Sequence, residues 1–216
     1  MKVIAINGSP RKKWNTATLL EKALEGADSV GAETEIVHLY DLDFKGCISC
    51  FACKTLGGKS YGRCAVKDGL APILDKAATA DALILGSPIY FGSATGEMRS
   101  FMERLLFPYL VYAVPRQSLA PKRIDAGFVY TMNAPEERIK DFGGQQIAIN
   151  EFAFTMVFGG SSETVMSFET YQFDDYSKIA SSMFDVEARA KRRQEVFPVD
   201  CRKAFEMGAR LGGSRA

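Results

Sequence analysis

Residues 3–16 read VIAINGSPRKKWNT, and this stretch contains the pattern that decides the fold. The apolar run at 3–6 is typical of a strand covered on both faces. It breaks at a glycine, serine and proline turn, and helical periodicity then begins at Thr16, with Asn15 or Thr16 as the expected N-cap. Free N–H groups at the start of such a helix form an anion site. The stretch therefore favours a phosphate monoester site, and the alternative is a polar turn without a ligand.

Bulk composition points to an ordinary globular chain. It has 216 residues, of which 47% are hydrophobic and 25% charged, with a formal net charge of +1. The length and the lack of a linker-like stretch predict a single domain over residues 1–216, with a helical extension from about 176 to 216. The near-zero net charge argues against nucleic acid as the main partner. Without a long apolar run or a signal-peptide pattern, we expect no membrane association and a cytoplasmic location.

Strand-like and helical segments alternate along the chain. Strands are expected near residues 3–6, 35–39, 82–85, 126–130 and 164–166, and helices at 16–27, 70–80 and 96–106, within 145–157, and over most of 176–208. This alternation predicts an α/β doubly wound sandwich with a five-stranded parallel sheet, and right-handed crossovers limit its strand order to a few choices, of which we expect the order 2-1-3-4-5. In such a sheet, ligands bind beyond the carboxyl ends of the strands, between the first and third strands.

The loop after the third strand differs in character from the first one. Residues 86–92 read GSPIYFG, and they offer backbone amides and flat apolar surface without charge. A planar heteroaromatic ring suits this loop, and a phosphate suits the loop after the first strand. The pair of loops therefore indicates flavin mononucleotide (FMN). The alternative is that Tyr90 and Phe91 pack in the core.

The two loops together resemble those of the NAD(P)H-dependent FMN reductases of flavodoxin-like fold, a family that includes the iron–sulfur flavoproteins. The resemblance implies an FMN-dependent oxidoreductase that passes electrons from NAD(P)H to a small-molecule acceptor such as a quinone or a flavin. It also implies that the flavin carries the chemistry, so no catalytic side chain is assigned. The implied cofactor-binding residues are Ser9, Arg11, Asn15 and Thr16 for the phosphate, Pro88, Ile89, Tyr90, Phe91 and Gly92 for the ring system, and Thr131, Met132 and Asn133 for its other side.

One residue departs from the family pattern. Trp14 stands in the phosphate loop where such proteins usually have glycine or another small residue. Its indole either covers the phosphate or forms a surface or subunit contact.

A cysteine-rich segment follows the second predicted strand. Cys47, Cys50 and Cys53 have C-x2-C-x2-C spacing, and Cys64 follows after a longer gap. Four thiolates can hold a [4Fe–4S] cluster; zinc and unligated thiols are the alternatives. With a cluster, the chain would instead be an iron–sulfur flavoprotein electron carrier, served by a donor such as ferredoxin.

Three further segments carry expectations about the surface. The apolar connection at 107–114 predicts a subunit contact, and hence a homodimer or homotetramer. The segment at 133–146 is either a lid over the ring or an ordinary loop. The basic run at 189–193, which has acidic neighbours, predicts a solvated helix face.

Overall fold

A computed structural model describes residues 1–141, 143–180 and 182–213 of the chain; the predicted lid and C-terminal extension thus include positions outside the described residues. Its strands are β1 (Lys2–Asn7), β2 (Glu33–His38), β3 (Ala82–Tyr90), β4 (Ser93–Ala94), β5 (Leu110–Val111), β6 (Gln117–Ser118), β7 (Ile124–Thr131) and β8 (Gly159–Ser167). Its α-helices are α1 (Asn15–Ser29), α2 (Ala71–Thr79), α3 (Gly96–Leu106), α4 (Gly144–Phe158), α5 (Val186–Glu195) and α6 (Phe197–Gly212).

The central sheet confirms the predicted topology. Its long strands are ordered β2-β1-β3-β7-β8, and each neighbouring pair is parallel. This is the order 2-1-3-4-5 when only these five strands are counted. The carboxyl ends of β1, β3 and β7 therefore lie side by side at one edge.

Helices cover both faces of the sheet because the strands are apolar on both sides. On one face, α2, α3 and α4 pack through residues such as Leu74, Phe101 and Phe154. On the other face, α1 and α6 pack through residues such as Leu20 and Met207. A Cβ on Gly208 would meet the Ala23 carbonyl oxygen at 1.7 Å, so α6 approaches α1 more closely than a side chain at that position permits.

The structure corrects several predicted boundaries. The last strand has nine residues, whereas the sequence predicted three. Its first half, GGSSE, is polar, so a search for apolar runs finds only the second half. The connection after α3 contains the β5–β6 hairpin. The tail splits into α5 and α6 close to Pro198, as predicted, but from Tyr176 to Asp185 the described residues form only one short 3-10 turn, Tyr176–Lys178.

Among the described helices, none is both long enough and apolar enough to span a lipid bilayer.

Candidate functional site

The phosphate loop, residues 8–16, is folded by its own side chains. The Asn7 side-chain oxygen accepts a hydrogen bond from the Ser9 N–H at 2.9 Å. The Ser9 hydroxyl oxygen in turn accepts one from the Arg11 N–H at 3.2 Å. These two bonds form an Asx turn followed by a serine turn, which are local motifs that short polar side chains favour. The loop is therefore shaped by the residues that the strand–turn–helix pattern singled out.

The first turn of α1 has no side-chain cap. The helix begins at Asn15, its N-cap residue is Trp14, and no side chain accepts a cap hydrogen bond there. The expectation of an Asn15 or Thr16 cap is wrong because both side chains bond elsewhere. The Asn15 amide donates to the Tyr171 carbonyl at 2.9 Å and accepts from Arg193 at 2.7 Å.

The buried donors around this helix start suit a phosphate. Ser9, Asn15 and Thr16 are all buried, and the Thr16 hydroxyl lies 2.8 Å from the Thr131 hydroxyl. A helix start without a side-chain cap presents N–H groups and the positive end of the helix dipole. Hydroxyls, amide N–H groups and a helix start are the donor set that phosphate oxygens accept from.

Trp14 and Arg11 contact the segment after β8. The sequence suggested two roles for Trp14, a cover over the phosphate and a surface or subunit contact, and this contact within the chain is neither of them. The indole N–H donates to the Tyr171 carbonyl at 3.1 Å. The Arg11 guanidinium lies 4.0 Å from the centre of the indole ring and donates to the Gln172 carbonyl at 2.6 Å. Trp14 thus holds the segment after β8 against the phosphate loop.

The ring loop, residues 88–92, is the tip of a tight hairpin. β3 runs to Tyr90, turns through Phe91 and Gly92 at φ 49° and 80°, and returns as β4. Two consecutive positive φ values are those of a type I′ turn, which a bulky residue such as phenylalanine rarely occupies. The Phe91 side chain is fully exposed and Tyr90 is 47% exposed, so the alternative of core packing is wrong for both. Exposed aromatic rings on a strained turn are typical of a binding surface.

The third loop, residues 131–135, begins at the end of β7, and hydrogen bonds to the end of β8 and to the residues after it hold this loop in place. The Met132 N–H donates to the Ser167 carbonyl at 2.9 Å, and the Thr170 hydroxyl donates to the Met132 carbonyl at 3.2 Å. Further along, a Cβ on Gly143 would meet the Gly92 carbonyl oxygen at 2.0 Å. The segment after Asn133 therefore returns to touch the ring loop, as a lid would.

Thr95 connects the phosphate loop to the ring loop. Its hydroxyl donates to the Gly8 carbonyl at 2.7 Å, and its N–H donates to the Ser87 hydroxyl at 3.0 Å. The same hydroxyl caps α3 by accepting from the Met98 N–H. A threonine directly before a helical stripe is a recognisable N-cap signal, but its bond to Gly8 is visible only in three dimensions.

The cysteine loop, residues 46–64, does not assemble the expected ligand set. Cys47 and Cys50 are exposed, whereas Cys53 is buried, and burial raises the pKa of its thiol. Within the described ranges, no three His, Cys, Asp or Glu side chains come close enough together to hold a metal ion. The structure thus does not gather Cys47, Cys50, Cys53 and Cys64 around one point.

Two basic side chains explain this arrangement. Arg104 has no exposed side-chain surface, donates to Asp68 at 2.9 Å, and also donates to the Cys64 sulfur at 3.4 Å. Burial of the Asp68 carboxyl is the largest single effect and opposes ionisation. The hydrogen bond and charge of Arg104, together with backbone hydrogen bonds at Leu70 and Lys45, outweigh it and lower the pKa of Asp68. The Lys54 ammonium donates to the carbonyl oxygens of three residues that follow α3, namely Phe107, Pro108 and Leu110. Burial lowers the pKa of Lys54. Cys64 is therefore hydrogen-bonded to Arg104 of α3, whereas Lys54 holds the residues next to Cys53 against the segment that follows α3.

The basic run on α5 is not the solvated face that the sequence predicted. Arg189 is only 8% exposed, and Arg193 bonds Asn15 while stacking on Phe197 at 4.0 Å. Residues four apart lie on one face of a helix, so both arginines point toward the sheet edge while Lys191 is exposed. The acidic neighbours in sequence obscured this pattern.

Two curated relatives match about half of this chain. An iron–sulfur flavoprotein of Methanocaldococcus jannaschii is 41% identical over 104 residues, which cover 48% of this chain and 51% of that protein. An iron–sulfur flavoprotein of Archaeoglobus fulgidus is 42% identical over 104 residues, 48% of each chain. The chain thus spans about half the length of the curated relatives it matches.

Solved structures show the same fold at low sequence identity. An NAD(P)H:quinone oxidoreductase from Methanothermobacter marburgensis superposes with a TM-score of 0.71 at 15% identity, over 100% of this chain and 99% of that one. An FMN-dependent NADH-azoreductase from Bacillus anthracis, in complex with FMN, gives 0.63 at 13% identity, over 99% and 100%. The family model of the NADPH-dependent FMN reductases matches residues 1–126. The chain therefore belongs to the NADPH-dependent FMN reductase family.

Proposed function

We propose that this chain is an FMN-dependent oxidoreductase that passes electrons from NAD(P)H to a small-molecule acceptor such as a quinone or a flavin. The observation that carries the proposal is the joining of two loops of different chemistry. The Thr95 hydroxyl bonds Gly8 of the phosphate loop, and the Thr95 N–H bonds Ser87 beside the ring loop. The two loops thus lie side by side, with anion donors on the first and exposed aromatic surface on the second.

The cofactor-binding residues in this proposal are those that the sequence singled out. Ser9, Asn15, Thr16 and the N–H groups of the first turn of α1 would hold the phosphate, and Arg11 would add charge at the rim. Pro88, Ile89, Tyr90, Phe91 and Gly92 would support one side of the ring system. Thr131, Met132 and Asn133 would approach it from the other side.

The protein's contribution in this proposal is positioning and solvent exclusion. FMN, when bound, supplies the redox chemistry between NAD(P)H and the acceptor. The buried donors of the phosphate loop would fix one end of the cofactor, while the ring loop and Gly143, which contacts it, would shield the other end from water. We assign no side-chain acid or base.

An anaerobic absorption spectrum tests this function. We expect the purified protein, supplied with FMN and passed through a desalting column, to retain flavin absorption that bleaches on addition of NADPH. Addition of a quinone should restore the absorption. Retained flavin that neither NADH nor NADPH bleaches would contradict the reductase assignment.

The curated relatives favour a second candidate function, an iron–sulfur flavoprotein electron carrier with a [4Fe–4S] cluster and a donor such as ferredoxin. Two proteins of that name share more than 40% identity with about half of this chain. The thiols as arranged here do not fit a cluster, because no three ligating side chains among the described residues come close enough together to hold a metal ion. Iron and acid-labile sulfide in anaerobically purified protein, with broad visible absorption, would select the carrier; yellow, iron-free protein would select the reductase.

We also propose a homodimer or homotetramer. The surface that supports it lies on the 107–114 connection and the outer side of α4, where Tyr112, Val114, Ile149 and Phe152 are exposed. Apolar area of this extent is typical of subunit contacts. Sedimentation at micromolar concentration should give at least twice the chain mass of 23.7 kDa, and a monomer would contradict the proposal.

We propose that residues 1–216 act as one FMN-binding domain in the cytoplasm. The single-domain organisation is supported by α6, whose Ala204 and Met207 join the same apolar cluster as Val3 and Leu19. Limited proteolysis tests this organisation: cleavage between α5 and α6 that leaves a stable folded core would contradict it.

The cytoplasmic location is supported by the five cysteines, which are all free thiols as is usual in reducing compartments.

A further inference from the structure

Arg189, on α5, is a buried charge that its neighbours do not fully satisfy. The residue is 8% exposed, and its Nη1 has no hydrogen-bond partner among the described residues. The nearest carboxylate oxygen, on Glu169, lies 3.7 Å from Nη2, which is beyond hydrogen-bond distance. Burial lowers the pKa of this guanidinium. A buried, incompletely paired arginine costs folding free energy, so its presence calls for a ligand that completes it.

The arginine lines a cavity of about 500 Å³ between the third loop and α5. The walls carry three guanidinium groups, from Arg138, Arg189 and Arg192, and two carboxylates, from Glu169 and Asp185. Three of these five groups have partners outside this set. Arg138 pairs with Asp141 and Arg192 with Asp200, while the Asp185 carboxylate caps α5 and Glu169 faces Arg189. Arg189 is therefore the cation that is available to an incoming anion.

Backbone strain marks the opposite wall of the same cavity. Glu169 has φ 49°, a left-handed conformation that is unusual for a non-glycine residue. Its N–H donates to the Ala134 carbonyl at 3.2 Å, which ties the wall to the third loop. Strain that the surrounding structure maintains is common at ligand sites.

The position of the cavity indicates which anion it takes. Asn133 lines this cavity and is also one of the residues proposed to approach the flavin ring. The phosphate loop, which contacts Thr131 through the Thr16 hydroxyl, has its own donors for the FMN phosphate. A second anionic group here would belong to a molecule that reaches the flavin ring from outside.

We propose that Arg189 binds a phosphate group of the nicotinamide dinucleotide while its nicotinamide lies at the flavin. This inference rests on the proposed function. Two phosphate groups are candidates for the group that Arg189 binds. One is the diphosphate, which NADH and NADPH share, and the other is the 2′-phosphate, which only NADPH carries. A guanidinium bonds either one with two N–H groups.

Direct binding tests the site without electron transfer. Isothermal titration of FMN-free protein with adenosine 2′,5′-bisphosphate and with ADP should show binding of at least one of them. The variant Arg189→Met should weaken that binding by roughly tenfold or more, since a hydrogen-bonded charge is lost. The control Lys191→Met, on the exposed side of the same helix, should leave it unchanged. Equal binding by wild type and Arg189→Met would overturn the proposal.

Steady-state kinetics identifies the phosphate. If the site takes the 2′-phosphate, Arg189→Met should raise KM for NADPH and leave KM for NADH unchanged. If it takes the diphosphate, both KM values should rise together. In either case kcat should change much less than KM, and Arg189→Lys should recover part of the loss. Unchanged KM values for both dinucleotides would overturn the proposal.

A stability measurement separates ligand binding from a structural role. Removal of an incompletely paired buried charge should leave the thermal midpoint of Arg189→Met equal to or above that of wild type, whereas a structural arginine would lower it. Failure of the proposed function is distinguishable, because it would appear as wild-type protein that NAD(P)H cannot reduce. The titration on FMN-free protein would still decide the role of Arg189.

Discussion

The phosphate loop and the cysteine loop are both polar segments that follow a strand of the sheet, yet different interactions hold them. The turn at the start of the phosphate loop is shaped by bonds between near neighbours in sequence, Asn7 to Ser9 and Ser9 to Arg11, whereas side chains further along this loop, such as that of Arg11, also bond distant residues. The cysteine loop is held by Arg104 and Lys54, whose partners lie 36 to 59 residues away along the chain. A locally determined loop can be inferred from its motif, whereas the shape of a loop held by distant partners cannot.

The largest effect should come from breaking the distant anchor of the cysteine loop. Arg104→Met leaves the Asp68 carboxylate without its partner and also removes bonds to Lys45 and Val66. We expect the free energy of unfolding in urea to fall by roughly 3–5 kcal/mol, as for other buried pairs that lose one member. The control Arg63→Met removes an exposed pair with Asp75 and should cost about 1 kcal/mol or less. Similar losses in the two variants would show that Arg104 is not the anchor.

Acid should weaken the same anchor in a defined pH range. The folded-state pKa of Asp68 lies below its ordinary value of 3.8. The stability from this carboxylate is therefore fully present above that value and is lost as the pH falls through the lower, folded-state pKa. Urea unfolding between pH 6 and pH 3 should show a steeper loss for wild type than for Arg104→Met. Parallel curves would contradict the assignment of this pH dependence to the Arg104 pair.

A smaller effect is expected at the other anchor of the cysteine loop. Lys54→Met removes the donor to the carbonyl oxygens of Phe107, Pro108 and Leu110. Unpaired, partly buried carbonyls should lower the free energy of unfolding by about 1–3 kcal/mol. Lys59→Met, at an exposed position in the same loop, is the matched control. No difference between the two variants would mean that Lys54 does not hold the loop.

The smallest effect should appear in the phosphate loop and in binding instead of stability. Thr16→Val removes a buried hydroxyl at the start of α1 while keeping the side-chain shape. We expect FMN affinity to fall by roughly tenfold, the value of about one hydrogen bond to a charged group. Thr155→Val, whose hydroxyl bonds only its own helix α4, should bind FMN like wild type. Equal FMN affinity of the two variants would show that Thr16 does not bind the phosphate.

The same contrast shows how much the sequence could predict. The apolar run before Gly8 and the helical stripe after Thr16 lie within one short segment, so the β1–turn–α1 unit followed from local pattern. The alternation of strands and helices left a few strand orders, of which the expected one is observed. The bonds from Arg193 to Asn15 and from Arg104 to Asp68 join residues 178 and 36 positions apart. No spacing rule connects such pairs, so the burial of Arg189 and the separation of the cysteines could not be predicted.

A fluorescence titration of flavin-free protein with FMN tests the central claim most directly. Flavin emission should change with saturation at one FMN per chain, and Thr16→Val should shift the midpoint to higher FMN concentration. Emission identical to that of free FMN at every protein concentration would contradict the account, because the phosphate loop and the ring loop would then not bind the cofactor.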